Sequence, residues 1–182
     1  MNQNNGVRNV VAVAIGAAIF FVLMRFVQIP LPVPNTSLQT AYGFLALFSA
    51  VFGAVPAAIA GFIGHALVDL TYGSVWISWV LSTAIAGFGL GLVMKDVPVE
   101  QGEFNKKHKV RFIIGLIVVN LIAWAIVAPS LDVLIYAEPV NKVFVQGIVA
   151  ALVNAFSTAL IGWVLIEAYV RTRTKSGSLS EK

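Results

Sequence analysis

His65 and Asp69 form an ionisable pair within a strongly apolar stretch of the sequence, GHALVDL (residues 64–70). In a helix, residues four apart project from the same face, so the imidazole and the carboxylate lie within reach of each other. Because ionisable groups in apolar surroundings are costly, they usually face a cavity, a partner or a proton relay. The pair therefore predicts either a polar pocket, in which Asp69 accepts a hydrogen bond from a ligand, or a mutual contact with a structural role.

The segment QIPLPVPNTSLQTAYG (28–43) contains a second group of polar candidates. Its three prolines favour an extended, semi-rigid backbone, and uncharged donors and acceptors follow them. Such a segment is either an ordinary connection or a lid whose amides bind a small polar heterocycle. The candidate ligand contacts in this segment are Asn35, Gln39 and Tyr42.

Two tryptophans follow the ionisable pair, Trp76 and Trp79. Tryptophan is common at the membrane–water interface, but an indole can equally form the wall of a pocket and stack on a flat ligand. Further candidates by depth along the predicted helices are Asn120, Asn141 and Gln146.

Three other polar residues favour structural interpretations. Glu138 and Lys142 are four residues apart, which predicts a surface ion pair of little energetic value. Asn154 is interpreted as a polar contact between helices.

The composition predicts an integral membrane protein, located in the cell membrane as a multi-pass chain. Of the 182 residues, 59% are hydrophobic and 11% are charged, against about 25% charged in soluble domains. The chain has no cysteine, which excludes disulfides, zinc–thiolate sites and cysteine nucleophiles. Since it also has no G-x-x-x-x-G-K-[ST], H-E-x-x-H or G-x-S-x-G motif, we expect no ATP hydrolysis, no other enzymatic activity, no metal and no cofactor.

The apolar segments predict an all-α fold with six transmembrane helices in one domain over residues 1–182. A crossing helix needs about 20 apolar residues, and the break at 53–56 divides the stretch 41–72 into two helices, the first unusually short. The predicted spans are 10–27, 41–52, 55–72, 76–94, 112–128 and 140–170.

The distribution of basic residues predicts that both termini are cytoplasmic. With six spans, only Arg25 and Lys142 lie on the side opposite the termini, which leaves ten of the twelve Lys and Arg residues on the terminal side. Positive charge is enriched in cytoplasmic segments. Since the basic clusters flank apolar segments, they indicate contact with the lipid bilayer and not with nucleic acid.

Small residues recur along the first helix. Ala14 and Ala18 are four residues apart, as are Ala12 and Gly16. This spacing lets another helix approach closely. The approaching helix could belong to this bundle or to a different membrane protein.

The stretches RFVQIPLPVPNTSLQTAYG (25–43) and GFIGHALVDLTYGSVWISW (61–79) resemble S components of energy-coupling factor (ECF) vitamin transporters, within a group associated with riboflavin or hydroxymethylpyrimidine. The resemblance implies a non-catalytic, substrate-binding membrane subunit that joins a transmembrane coupling subunit and two cytoplasmic ATPases. It also implies that Ala14 and Ala18 contact the coupling subunit, and that the ligand lies near the outer surface, below the proline-containing segment.

The expected function is capture of a vitamin or vitamin precursor, hydroxymethylpyrimidine or pyridoxine-like, for ATP-driven uptake. One alternative is an S component specific for riboflavin. The other is a self-sufficient proton-coupled transporter that uses Asp69 and His65 as its relay.

Overall fold

The computed structural model describes residues 3–34 and 36–173. Within them, six helices are joined by short connections, and a small antiparallel hairpin follows the first helix. The helices are α1 Gln3–Phe26, α2 Ala41–Phe52, α3 Ala54–Leu70, α4 Ile77–Met94, α5 Lys106–Tyr136 and α6 Val140–Arg171. The hairpin strands are β1 Gln28–Pro30 and β2 Ser37–Gln39, and a single 3-10 turn spans Val99–Gln101.

The fold is that of an all-α membrane protein. Among the described residues, four helical stretches are long and apolar enough to cross a membrane: Gly6–Phe26, Ile77–Met94, Lys106–Tyr136 and Val140–Arg171. Helices α2 and α3 are apolar but shorter, at 12 and 17 residues. The hairpin was not expected from the sequence, because its strands are only three residues long and three prolines interrupt the segment.

Helix α5 continues to Tyr136, beyond residue 128, where the predicted span ends. The helix passes Pro129 because a π-helical stretch, Leu121–Val127, precedes it and the proline lies in the first turn of the next α-helical stretch, Ala128–Tyr136. Proline is tolerated there, since its missing N–H has no intrahelical role in a first turn. A second π-helical stretch, Thr158–Gly162, interrupts α6. In both long helices, the side chains beyond the π-helical stretch are therefore rotated around the helix axis relative to their positions in a continuous α-helix.

Small residues bring α3 close to both of its neighbours. A Cβ atom added to Gly91 of α4 would lie 2.3 Å from the Ala54 Cα, and one added to Gly64 of α3 would lie 2.8 Å from the Ala17 carbonyl oxygen of α1. Contacts this close exclude any side chain at the two glycines. They allow helix backbones to pack directly, as small residues do in membrane bundles.

The two ends of the bundle differ in charge and in packing. At one end, which we call the basic end, Arg8 pairs with Glu100 at 3.2 Å and Lys109 with Glu167 at 2.9 Å. The connection between α4 and α5 closes this end, because its Val99 and Phe104 are buried. At the other end, which we call the hairpin end, the β-strands contact α1 and α6, and a large cavity lies there.

Candidate ligand-binding site

A cavity of about 810 Å³ lies between the hairpin and the ends of α3–α6. Its volume is within the range of about 300–1,000 Å³ that is usual for small-molecule sites. The lining combines aromatic rings, prolines and a few polar side chains. This mixture is typical of a site for a small organic ligand.

Most of the candidates predicted from the sequence line this cavity, although they come from separate segments of the chain. These residues are Gln39, Tyr42, His65, Asp69, Trp76, Trp79 and Gln146. The structure does not bring Asn120 or Asn141 to the lining. Asn120 is buried and donates to the Leu116 carbonyl oxygen at 2.8 Å within its own helix, and Asn141 is exposed. Asn35 lies outside the described residues.

His65 is held by a buried hydroxyl. Its Nδ1 lies 2.5 Å from the Thr83 Oγ1, and the Tyr42 hydroxyl is 3.2 Å from the same oxygen. Thr83 Oγ1 also lies 3.1 Å from the Trp79 carbonyl oxygen, so this hydroxyl has three polar neighbours. The imidazole Nε2, on the other side of the ring, is directed towards Asp69.

Asp69 has one oxygen committed to the backbone and one available. Its Oδ2 accepts from the Trp76 backbone N–H at 2.8 Å, which ties the end of α3 to the start of α4. Its Oδ1 lies 3.5 Å from the His65 Nε2. A carboxylate oxygen is an acceptor, so Oδ1 suits a ligand N–H or O–H.

Asp132 is a cavity residue that the sequence analysis did not identify. Its carboxylate is 2% exposed and accepts from three donors. Trp76 Nε1 donates to Oδ1 at 2.7 Å, Trp79 Nε1 donates to Oδ2 at 2.8 Å, and the Ser78 hydroxyl also donates to Oδ1. Asp132 therefore holds both indoles in place.

The π-helical stretch explains why Asp132 points inward. It lies eight residues after Trp124, which in a regular α-helix would separate the two side chains by about 80° around the axis. One additional residue in a π turn reduces this angle to about 20°. Helical periodicity read from the sequence assigns Asp132 to the wrong face, and the predicted span ends before it.

Aromatic rings form one continuous wall of the cavity. Trp79 stacks on Trp124 with a 19° interplanar angle and centroids 5.8 Å apart, and Tyr42 lies 5.1 Å from the Trp124 centroid. Trp76 packs on Tyr136 at 4.4 Å. Trp76 and Trp79 both line the cavity, and their indole N–H groups are directed to Asp132.

The hairpin covers the cavity and is attached to α6. Gln28 and Gln39 are paired across the strands, and the Gln39 Nε2 donates to the Gln28 Oε1 at 2.9 Å. Gln146 Nε2 donates to the Pro34 carbonyl oxygen at 2.7 Å, and the Ser157 hydroxyl donates to the Gln39 carbonyl oxygen at 2.6 Å. This segment, for which a lid is one of the two interpretations, therefore lines the cavity.

The residues with structural interpretations also line the cavity. Glu138 and Lys142 form the predicted ion pair at 2.6 Å, and both side chains face the cavity. Asn154 lines it as well and is 4% exposed. Their positions were not evident from the sequence, since a side chain that lines a cavity between helices has the same spacing as one that packs against a helix.

The two strips of small residues on α1 face in different directions. Ala12 and Gly16 are buried, and a Cβ atom on Gly16 would lie 2.5 Å from the Phe48 ring of α2. Ala14 and Ala18 are exposed. Internal packing therefore uses the first strip and leaves the second open on the surface of the bundle.

A family model and several known proteins match nearly the whole chain. The model of the family described as ECF-type riboflavin transporter, S component, matches residues 4–171. UPF0397 protein SAB2561c of Staphylococcus aureus (strain bovine RF122 / ET3-1) is 46% identical over 181 residues, which cover 99% of this chain and 98% of that protein. UPF0397 protein YdcD of Lactococcus lactis subsp. lactis (strain IL1403) is 49% identical over 181 residues, which cover 99% of this chain and 100% of that protein.

A solved structure has a similar fold. The S component for biotin from an ECF-type ABC transporter superimposes with a TM-score of 0.62 at 13% sequence identity, covering 96% of each chain. At this identity the likeness concerns the fold alone.

Proposed function

This chain belongs to the family of ECF-type riboflavin transporter S components, and on that premise we propose that it binds a vitamin or vitamin precursor in the cavity at its hairpin end. As a member of this family with four long apolar helices, it is a multi-pass protein of the cell membrane. The family is one of non-catalytic transporter subunits. The resemblance noted in the sequence is therefore confirmed at the level of the family.

The observation that carries the proposal is the cavity itself, where aromatic side chains and the ionisable pair of His65 and Asp69 line one space. Trp76, Trp79 and Trp124 offer indole rings on which a planar ring can stack. Asp69 Oδ1, with the His65 imidazole beside it, offers a hydrogen-bond acceptor to amino or hydroxymethyl groups on that ring. Hydroxymethylpyrimidine and pyridoxine-like compounds have this combination of a small aromatic ring and polar substituents.

Riboflavin is the second candidate. The cavity of about 810 Å³ has room for a ligand larger than a single ring, and its wall includes Tyr42, Trp76, Trp79 and Trp124. A flavin would stack its fused rings on this wall and extend its polar chain towards the hairpin.

Topology and partners complete the proposal. All six helices cross the membrane, both termini are cytoplasmic, and the cavity opens to the outside, as the excess of Lys and Arg on the terminal side indicates. Energy for uptake comes from partners, namely a transmembrane coupling subunit and two cytoplasmic ATPases. Ala14 and Ala18 dock the coupling subunit, because they form an exposed strip of small residues.

The experiment that tests the function is identification of the small molecule that co-purifies with the protein from its native host. Mass spectrometry of the denatured preparation is expected to find a pyrimidine, a pyridoxine-like compound or a flavin. A preparation that contains none of them, and that drives proton-dependent uptake in liposomes without partners, would contradict the proposal in favour of a self-sufficient transporter.

Topology has its own test, because the chain has no cysteine of its own. We expect a single cysteine at Ser74 to react with a membrane-impermeant maleimide added to intact cells. A cysteine at Glu103 is expected to react only after the membrane is permeabilised. Both positions are exposed, so the reverse pattern would place the cavity on the cytoplasmic side.

A further inference from the structure

The cavity contains polar atoms that nothing in the described chain satisfies. Trp124 is 1% exposed and Asn154 is 4% exposed, and both line the cavity. Neither the Trp124 Nε1 nor the Asn154 Oδ1 has a hydrogen-bond partner among the described residues, and the same holds for the Gln39 Oε1. Buried polar groups are nearly always paired, so unpaired ones that face a cavity indicate a ligand.

These three residues line one cavity although they belong to different elements. Trp124 lies eight residues before Asp132 on α5, and Asn154 lies eight residues after Gln146 on α6, so each is about 12 Å farther along its helix than its neighbour at the lid. Gln39 belongs to the hairpin, and its carbonyl oxygen accepts from Ser157, one turn from Asn154. We call Gln39, Trp124 and Asn154 the inner subsite.

Charge further restricts what the cavity accepts. Its described lining includes the carboxylates of Asp69, Asp132 and Glu138. Lys142 provides the ammonium group of that lining, and it is bound to Glu138 at 2.6 Å. An anionic ligand group would therefore be buried beside carboxylates without an available cation, which is unfavourable in a low-dielectric site.

Resting on the proposed function, we propose that the inner subsite recognises the polar edge of an uncharged or protonated heterocycle that has no phosphate or carboxylate group. The indole N–H of Trp124 donates to a ring nitrogen or carbonyl oxygen of the ligand. The amides of Asn154 and Gln39 accept from a neighbouring N–H or O–H. Asp69 and His65, which line the same cavity, contact another edge of the ligand.

The first test needs no mutation. The purified full-length protein is equilibrated with hydroxymethylpyrimidine, pyridoxine and riboflavin, each together with its own monophosphate ester, and the retained compounds are identified by mass spectrometry. We expect one unphosphorylated compound to be retained and its monophosphate to bind at least tenfold more weakly. Equal binding of the monophosphate would overturn the inference while leaving the proposed function intact. Retention of none of the six compounds would overturn both.

The second test uses matched variants, with the retained compound as probe. Trp124→Phe keeps an aromatic ring but removes the N–H, and Asn154→Leu keeps the volume but removes the amide. Each is expected to weaken binding about fivefold or more, as the loss of one buried hydrogen bond does. Trp163→Phe and Asn120→Leu are the controls, because Trp163 does not line this cavity and Asn120 is a comparably buried asparagine at 3% exposure.

Unchanged affinity in folded Trp124→Phe and Asn154→Leu variants would mean that water alone satisfies these polar atoms, which would contradict the inner subsite. Equal losses in the controls would likewise overturn it, since the effect would then be one of stability. If either inner variant fails to fold, the phosphate comparison on the unmodified protein still decides the inference.

Discussion

Asp69 and Asp132 are two carboxylates in one cavity, yet their environments differ. Asp132 accepts from two indoles and a hydroxyl, so its oxygens are occupied by the protein. One oxygen of Asp69 accepts from the Trp76 backbone N–H, and the other is directed towards His65 and the cavity. We infer that Asp69 contacts the ligand and that Asp132 positions the aromatic wall.

The role of Asp69 leads to a prediction about affinity. Asp69→Asn preserves an acceptor for the Trp76 N–H but removes the negative charge that faces the ligand. We expect the variant to fold and to bind its ligand at least tenfold more weakly, which is about 1.4 kcal/mol. Equilibrium dialysis with the co-purifying compound measures this. The control is Asp96→Asn, because Asp96 is exposed and its φ of 65° suits asparagine. Equal affinities in the two variants would remove Asp69 from the site.

The role of Asp132 leads to a prediction about stability. In Asp132→Asn, an NH₂ group replaces one of the two carboxylate oxygens. Since each carboxylate oxygen accepts from a different tryptophan, this NH₂ group must face one of the two indole N–H groups. A buried donor without an acceptor costs about 1–3 kcal/mol, so we expect a lower melting temperature and weaker ligand binding. Thermal unfolding in detergent, with and without ligand, measures both.

Ser78→Ala provides the comparison for Asp132→Asn. It removes one donor and leaves both indole hydrogen bonds in place, so we expect a smaller loss of stability than in Asp132→Asn. A larger loss of stability in Ser78→Ala than in Asp132→Asn would show that the hydroxyl, and not the indoles, is the important partner of Asp132.

At the scale of elements, the hairpin is attached to the bundle by few polar contacts. Gln146 reaches from α6 to the Pro34 carbonyl oxygen, and Thr40 donates to the Val27 carbonyl oxygen at the base of the hairpin. Inside the turn, Leu31 N–H donates to the Thr36 carbonyl oxygen at 3.0 Å. A cover fixed in this way can open locally while the helices stay packed.

Removing the Gln146 contact should therefore change the rate of ligand dissociation more than it changes the fold. In Gln146→Met the side chain keeps its length but loses its donor to Pro34. We expect ligand dissociation to be several times faster and amide hydrogen exchange at Leu31 to increase, with an unchanged melting temperature for the unliganded protein. Gln101→Met at the basic end is the control. Unaltered dissociation and exchange would show that the hairpin is held by its other contacts.

At the scale of the whole molecule, the cavity and the exposed strip of α1 lie on different parts of the bundle. The cavity lies at the hairpin end, whereas the exposed strip of Ala14 and Ala18 lies along the side of α1. A substitution on the strip therefore should not reach the ligand. Its effect should be confined to assembly with other membrane proteins.

We expect Ala14→Trp to bind ligand with unchanged affinity and to lose co-purification with the coupling subunit, because an indole keeps a partner helix at a distance. Co-expression of tagged chain and coupling module, followed by affinity purification, measures assembly. Leu152→Trp is the control, since Leu152 is an exposed apolar residue of α6. If Ala14→Trp still co-purifies with the coupling subunit, the strip of Ala14 and Ala18 is not the docking surface.

The sequence alone determined the class of the protein and the contact between His65 and Asp69. Apolar stretches follow directly from membrane insertion, and two segments were enough to indicate the family that the comparisons confirmed. His65 and Asp69 could be paired because they are four residues apart on one helix, and such contacts depend only on helical geometry.

Only the tertiary structure decided which distant residues complete the cavity. Asp132 meets tryptophans more than fifty residues away in sequence, and it does so because a π turn rotates the end of α5 into phase with Trp124. Gln146 contacts a carbonyl oxygen 112 residues away. Asn154 lines the cavity and Asn120 does not, although each occupies a buried face of an apolar helix. Local periodicity is the same for both asparagines. They differ because neighbouring helices leave space beside Asn154 and not beside Asn120, and this depends on tertiary packing.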